Sequence, residues 1–130
     1  MASIFSKIAS GEIPSYKVAE DAEYLAFLDI FPLTRGHVLV IPKKEVDYLF
    51  DLDEESYAGL MKFTRKVALA VGKVIPCKRV GVVVLGLEVP HAHVHLIPLN
   101  SERDIDFSKP KLQFNQEEFA ATAKLIADAV

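Results

Sequence analysis

The sequence of 130 residues has no tryptophan and a single cysteine, Cys77. One cysteine excludes an internal disulfide and any metal site built from several thiols, and it favours a reducing compartment. Long apolar runs are also missing, since no stretch approaches the roughly 20 residues that a membrane-spanning helix needs. The first fifteen residues lack the basic start and apolar core of a secretory signal. We therefore predict a cytoplasmic protein that does not enter a membrane.

Positive charge is not in excess either. Lys and Arg number 15 against 18 Asp and Glu, which gives a formal net charge of -3, and no basic cluster stands out. A protein that binds nucleic acid through its backbone needs such a cluster, so we expect no nucleic-acid partner, while a small anionic ligand stays compatible with this charge. The 51% hydrophobic content and the absence of low-complexity tracts predict that residues 1–130 fold as a single domain.

The sequence predicts one long helix and two shorter terminal ones. Apolar residues recur at helical spacing in residues 3–9, ahead of a glycine, and again in residues 54–75, which follow acidic Asp53 and stop before Pro76. Asn115 and Glu118 match a capping box at the start of a closing helix. The three helices are therefore predicted both from the residues at their ends and from the spacing of their apolar residues.

Five short β-prone segments complete the predicted fold. Two lie in "SYKVAEDAEYLAFLDI", a third is "GHVLVIPKK", and Gly86 and Pro90 divide "RVGVVVLGLEVPHAHVHLIPL" into two more. Their short connections favour antiparallel neighbours. The sequence therefore predicts an α+β fold in which an antiparallel sheet of about five strands packs with a long helix and shorter terminal helices.

Three of the four histidines alternate with apolar residues in "VPHAHVHLIPL", residues 89–99. On a strand, His91, His93 and His95 would share one face while their apolar neighbours pack on the other. An imidazole with a pKa near 6.5 can act as a nucleophile when neutral and as a proton donor when charged. The central ring, His93, is suited to attack phosphorus, while a flanking ring contacts the leaving group or the non-bridging oxygens.

Two other readings of the row exist. Short motifs also arise by chance. A His-x-His pair on a strand can hold zinc, which makes a metal-binding protein the stronger alternative. The outer two rings, however, would start about 13 Å apart, too far for all three to converge easily on one ion.

The segment "HAHVHLIP" resembles the signature His-φ-His-φ-His-φ-φ, with φ apolar, of the histidine-triad nucleotide hydrolases and transferases. The similarity continues in "SIFSKIASGEIPSYKVAEDAEYLAFLDIFPLTRGHVLVIPKK", which resembles the N-terminal half of that family, and it extends to about residue 100. The resemblance implies a histidine-triad fold. It also implies a two-fold homodimer, with the long helix and a strand at the interface.

The resemblance assigns a role to each histidine. His93 matches the nucleophile that takes the α-phosphate of a nucleotide as a covalent nucleotidyl intermediate, which water then hydrolyses. His95 matches the residue on the phosphate and leaving-group side, and His91 the residue that orients its neighbours. His37 matches a fourth histidine that lies close to the triad in the family.

The nucleotide-binding positions also have counterparts here. Asp29 matches the acidic residue that accepts hydrogen bonds from the ribose hydroxyls. One carboxylate can accept from two such donors. Phe5, Ile8 and Ile30 match the apolar positions on either side of the base. The expected ligand is an AMP-like purine nucleotide.

Two departures from the family pattern affect these expectations. Many relatives have two zinc-binding cysteines near the N-terminus, where this chain has Ser3 and Ser6, so we expect no metal. Before the triad the family commonly has an Asn and a Gly-Gln followed by a phosphate-binding Ser or Thr. This chain has a shorter segment that places Glu88 at about that point. A carboxylate there repels phosphate unless it faces solvent or binds a cation, such as an amine in the leaving group.

The sequence thus predicts a histidine-triad hydrolase of the nucleotide-phosphoramidase type that needs no cofactor. Its expected substrates are purine nucleoside 5'-monophosphates with an amine or a similar leaving group on the α-phosphate. A dinucleoside polyphosphate hydrolase is the enzymatic alternative. A nucleotide-binding protein with little turnover is the alternative from another class.

Overall fold

A computed structural model describes residues 2–130, in which three helices pack on a five-stranded antiparallel sheet. In chain order the elements are α1 (Ile4–Ala9), β1 (Lys17–Glu20), β2 (Tyr24–Leu28), β3 (Val38–Pro42), α2 (Glu54–Val74), β4 (Arg79–Val83), β5 (Val94–Leu99) and α3 (Gln116–Ala127). The predicted α+β fold is confirmed. Within the described part of the chain, no helix has both the length and the apolar composition that crossing a bilayer requires.

The helix ends follow the capping signals in the sequence. The side chain of Ser3 accepts a hydrogen bond from a backbone N–H at the start of α1, and Asp53 does the same for α2. At α3 the capping box is complete, because Asn115 Oδ1 accepts from the N–H of Glu118 at 2.8 Å and Glu118 Oε1 accepts from the N–H of Asn115 at 3.1 Å. Each cap satisfies donors that the first turn of a helix leaves unpaired.

The strand order β1-β2-β3-β5-β4 places β5 in the interior of the sheet and β4 at an edge. Leu39 of β3 lies opposite His95 on one side, and Val83 of β4 lies opposite it on the other. An interior strand is held by two ladders of hydrogen bonds. His95 therefore stands on a strand that is paired on both sides.

The two faces of the sheet pack against different helices. One face forms the main core with α2 and α3, where Leu60 and Val67 are fully buried. The other face carries a smaller cluster under α1, made of Phe5, Ile8, Leu25, Phe27, Leu39 and Ile41. Because strand residues alternate between faces, His95 lies on the α1 side with its opposite neighbour Leu39.

The histidine row departs from the predicted strand. β5 begins at Val94, so His91 and His93 precede it and only His95 is a strand residue. The N–H of His91 donates to the carbonyl of Val89 at 2.8 Å, and the N–H of Ala92 donates to the carbonyl of Val46 at 2.7 Å. These two bonds after Pro90, one of them to the distant residue Val46, hold the segment outside the sheet ladder. The expectation that all three histidines lie on one strand was therefore wrong.

Candidate active site

The histidines meet where β3 begins beside β5. His37 precedes β3, and its Nε2 lies 2.9 Å from Nδ1 of His95. The ring of His93 has its centroid 5.1 Å from that of His95 and 4.9 Å from that of Phe5 in α1. All four histidines are buried, with exposed fractions between 0% and 7%. The fold thus gathers His37, His93 and His95 under α1.

Burial keeps two of these rings uncharged. It lowers the pKa of His37 to about 4, and the positive charge of Lys111 acts in the same direction. Burial also lowers the pKa of His95 to about 4, helped by the neighbouring imidazoles. At neutral pH each ring therefore has one N–H donor and one bare nitrogen that accepts.

The hydrogen bonds determine which nitrogen carries each proton. His37 Nδ1 accepts from the backbone N–H of Leu33 at 3.1 Å, so the proton of His37 is on Nε2. That Nε2–H donates to Nδ1 of His95, which places the proton of His95 on its own Nε2. The backbone N–H of Leu33 thus fixes the tautomer of His37, and His37 in turn fixes the tautomer of His95, whose Nε2–H is a donor.

His93 has the opposite arrangement. Its Nδ1–H donates to the backbone carbonyl of His91 at 2.8 Å, because a carbonyl oxygen can only accept. In the neutral ring the lone pair is then on Nε2. His93 therefore presents a bare nitrogen beside the N–H that His95 presents.

Both free Nε2 atoms are accessible. Among the described residues, the buried side-chain polar atoms without a hydrogen-bond partner are Ser15 Oγ and Thr64 Oγ1. Nε2 of His93 and Nε2 of His95 also have no hydrogen-bond partner among the described residues. Because they are not among the buried atoms, they reach solvent. His93 lines an open cavity of about 270 Å³ between residues 47–50 and 84–86. An electrophile can approach its lone pair from this cavity.

His91 is fully buried and is not among the residues that line that cavity. Its Nε2–H donates to the carbonyl of Pro42 at 2.7 Å, and its Nδ1 accepts from the hydroxyl of Ser3 at 2.8 Å. Burial lowers its pKa, which favours the neutral ring that these partners require. Both nitrogens of the His91 ring are therefore occupied.

The predicted nucleotide-binding residues lie at different depths. Asp29 follows β2, and its Oδ2 is 3.6 Å from Nε2 of His37 while its Oδ1 accepts from a backbone N–H. Phe5 and Ile8 are buried in the cluster under α1, whereas Ile30 is 53% exposed next to Asp29. Glu88 is exposed in the bend before the triad. The structure thus brings Asp29 and Phe5 to the histidines and leaves Ile30 and Glu88 at the surface.

The C-terminal part of the chain contributes residues that the sequence analysis missed. Phe107 lies against His95, with centroids 5.0 Å apart, and 6.4 Å from the ring of His37. Lys111 donates a hydrogen bond to the carbonyl of Phe107. No periodicity or motif around Phe107 signals this contact, because it depends on how residues 100–115 fold back over the sheet.

Neither cluster of potential ligands suits a metal ion. Ligand atoms of Asp29, His37 and His95 lie within 4.8 Å of one another. Nε2 of His37, however, carries a proton and has no lone pair for a metal. If that proton moved to Nδ1, the Nδ1–H would face the N–H of Leu33, and two donors would repel each other. Near His91, the hydroxyls of Ser3 and Ser6 are poor zinc ligands. The absence of a metal remains a prediction.

Comparison with known proteins identifies the family. The HIT domain matches residues 10–102. The chain belongs to the histidine-triad (HIT) family. An adenosine 5'-monophosphoramidase from Schizosaccharomyces pombe is 35% identical over 136 aligned positions, which cover 100% of this HIT protein and 99% of that one. The family resemblance that the sequence predicted is confirmed.

Solved structures of HIT proteins have the same fold. A HIT-like protein from Bartonella henselae superposes with a TM-score of 0.84 at 34% identity, covering 98% of this chain and 96% of that one. A zinc-bound histidine triad protein from Mycobacterium smegmatis gives 0.80 at 27% identity, covering 99% and 93%. The five-stranded antiparallel sheet is therefore the HIT sheet.

Proposed function

We propose that this HIT protein hydrolyses purine nucleoside 5'-monophosphate derivatives at the α-phosphate, with phosphoramidates as the preferred class. One observation carries the proposal: the ring of His93, with its bare Nε2, lies 5.1 Å from the ring of His95, with its Nε2–H, and His93 lines an open cavity. A nucleophile beside a donor is the arrangement that displacement at phosphorus requires. The similarity to a phosphoramidase supports the choice of substrate class.

The proposed reaction has two displacements at phosphorus. In the first, the lone pair of His93 Nε2 forms a bond to phosphorus as the bond from phosphorus to the leaving amine breaks, and the amine takes a proton from water. His93 becomes a nucleotidyl imidazolium, whose Nδ1–H remains bonded to the carbonyl of His91. In the second, water attacks phosphorus, the bond to Nε2 breaks, and the nucleoside monophosphate and a proton leave.

His95 acts as a hydrogen-bond donor and not as the acid in this scheme. A neutral imidazole loses its proton only with great difficulty, and His95 is neutral because burial lowers its pKa to about 4. Its Nε2–H donates to a non-bridging phosphoryl oxygen, where a well-placed donor is worth roughly 10²–10³ in rate. His37 keeps that donor in place through the bond to His95 Nδ1.

The nucleoside is proposed to lie along the side of the histidines that faces Asp29. The partly exposed carboxylate of Asp29 accepts hydrogen bonds from the ribose hydroxyls. Ile30, exposed beside it, packs on the base together with Phe5 and Ile8, which already form one apolar cluster. A purine offers the larger surface to this apolar lining, which is why we prefer it.

Glu88 is proposed to recognise the leaving group. Its side chain is exposed in the bend that precedes the triad. An exposed carboxylate avoids most of the repulsion from phosphate and remains free to attract a protonated amine.

A substrate panel tests the proposal on the purified protein. Adenosine 5'-phosphoramidates with neutral and cationic amines should be hydrolysed. The 2'-deoxy analogue should have a KM raised about tenfold, because it loses the bond to Asp29. A dinucleoside polyphosphate should be hydrolysed more slowly. The variant Glu88→Ser should lose only the preference for the cationic amine. Faster turnover of the dinucleoside polyphosphate would favour the polyphosphate hydrolase instead. AMP binding without any turnover would favour a nucleotide-binding protein.

We also propose a two-fold homodimer, in which the edge strand β4 and the helix α2 meet their counterparts. The support is the exposed apolar side chains on these elements, such as Val82 at 53% and Leu69 at 56%. An exposed edge strand with an apolar neighbour is a natural pairing surface. Light scattering at micromolar concentration should give twice the mass of the 14.4 kDa chain. The mass of a single chain would contradict the dimer.

A further inference from the structure

A hydrogen-bonded network outside the reacting centre connects α1 to the triad. Glu45, just after β3, accepts the backbone N–H of Ser3 and, at 2.7 Å, the hydroxyl of Ser6. The hydroxyl of Ser6 is therefore used on Glu45, and its 3.3 Å approach to His91 Nδ1 is not a donated bond. This leaves the hydroxyl of Ser3, at 2.8 Å, as the donor to His91 Nδ1.

The network continues from His91 to the nucleophile. With Nδ1 occupied by Ser3, the proton of His91 is on Nε2, which donates to the carbonyl of Pro42 at 2.7 Å. A ring bonded at both ends holds the backbone of residue 91 in place. The carbonyl of that residue receives the Nδ1–H of His93. The hydroxyl of Ser3 is thus connected through His91 to the Nδ1–H of His93.

We propose that Ser3, held by Glu45, is a positioning residue that keeps the proton of His93 on Nδ1 and its nucleophilic lone pair on Nε2. This inference rests on the proposed function for its catalytic consequence, while the tautomer of His93 is a property of the free protein. Ser3, Ser6 and Glu45 touch no reacting atom in this scheme and act only through His91.

Ser3 also caps α1, and the two roles are separable by substitution. Its Oγ accepts the N–H of Ser6 at 3.0 Å while its proton goes to His91. Alanine is a poor N-cap, whereas glycine costs a cap only a few tenths of a kcal/mol. Ser3→Ala and Ser3→Gly therefore differ in capping but lose the same hydroxyl.

The first experiment measures kcat and KM for an adenosine phosphoramidate. Both Ser3→Ala and Ser3→Gly should lower kcat about tenfold with KM changed by less than about twofold, because a nucleophile held less firmly spends less time in line with phosphorus. Ser3→Thr, which keeps a hydroxyl, should restore most of the rate. Glu45→Ala should lower kcat in the same direction, whereas Glu12→Ala, which removes an exposed glutamate shortly after α1, should not.

The second experiment reads the tautomers without any substrate. Imidazole ¹⁵N chemical shifts distinguish protonated from bare nitrogens. The wild-type protein should show His93 protonated on Nδ1 and His91 on Nε2, and both Ser3→Ala and Ser3→Gly should show mixed tautomers at His93. A rate loss in Ser3→Ala that Ser3→Gly does not share would assign the effect to capping and overturn the proposal.

The two readouts separate this inference from the proposed function. If the wild-type protein hydrolyses no nucleotide, the function fails, and the tautomers of the serine variants still decide the positioning role. If the wild-type protein is active but Ser3→Ala and Ser3→Gly retain both kcat and the His93 tautomer, the positioning role is wrong and the function stands.

Discussion

Replacing His93 with alanine is expected to lower kcat/KM for an adenosine phosphoramidate by at least about 10³-fold, because it removes the atom that bonds to phosphorus. Without Nε2 of His93, the remaining donor on His95 can still polarise the phosphoryl group, but water must attack directly. Steady-state hydrolysis of a fluorogenic AMP amide measures the loss.

Binding and folding have to survive this substitution for the result to be informative. The variant His93→Ala removes a ring that packs edge-on against Phe5, so His93→Gln, which keeps more of the volume, is the matched variant. Both should bind AMP with a Kd within about threefold of the wild type, since Asp29 and the apolar cluster are unchanged. If either variant retains more than about a tenth of the wild-type rate, His93 is not the nucleophile.

Acidification is expected to destabilise the protein steeply between pH 6.5 and 4. The ordinary pKa of 6.5 applies to His37 and His95 in the unfolded chain, whereas burial lowers both to about 4 in the folded protein. Between these values the unfolded chain binds protons that the folded protein does not, so the free energy of unfolding falls as pH falls. Two such groups give a slope of up to about 2.7 kcal/mol per pH unit, at 1.36 kcal/mol each.

Urea unfolding at pH 7, 5.5 and 4.5 measures this slope, and His37→Asn provides the comparison. The variant should lose up to about 1.36 kcal/mol per pH unit of this slope, since one of the groups with a lowered pKa is gone. The lowered pKa of His91 adds to the slope in both proteins. Glu45 and Asp53, whose pKa values are about 2, act mainly below this window. A free energy of unfolding that is flat from pH 6.5 to 4 would show that the buried histidines accept protons freely.

Local signals in the sequence predicted most of the fold. The capping residues Asp53 and Asn115 and the terminator Pro76 locate α2 and α3, because helix ends need partners that only certain side chains supply. The expectation that all three histidines lie on one strand was wrong, because β5 begins at Val94. Alternating His and apolar residues match a strand, but the backbone of His91 and Ala92 bonds to Val89 and Val46 instead of to a neighbouring strand. The alternation of apolar residues alone does not determine which backbone groups a segment bonds to.

The site was predictable only as far as the motif reaches. The family resemblance predicts that His37 lies close to the triad, and the structure brings its ring to His95. The sequence does not predict the tautomers of these histidines. They depend on the backbone N–H of Leu33 and on the backbone carbonyl of His91, which any residue type would supply. Phe107 reaches His95, and Glu45 reaches Ser3 and Ser6, through tertiary folding, and no spacing in the sequence connects either residue to the triad.

The proposed mechanism depends most on the covalent bond between His93 and phosphorus. Mixing the protein with excess adenosine phosphoramidate, quenching within the first turnovers and mapping the digested peptides by mass spectrometry tests for that bond directly. One adenylyl group on His93, absent in His93→Gln, is the predicted result. Turnover with no adenylyl group on any residue, or with the group on a different residue, would contradict the mechanism.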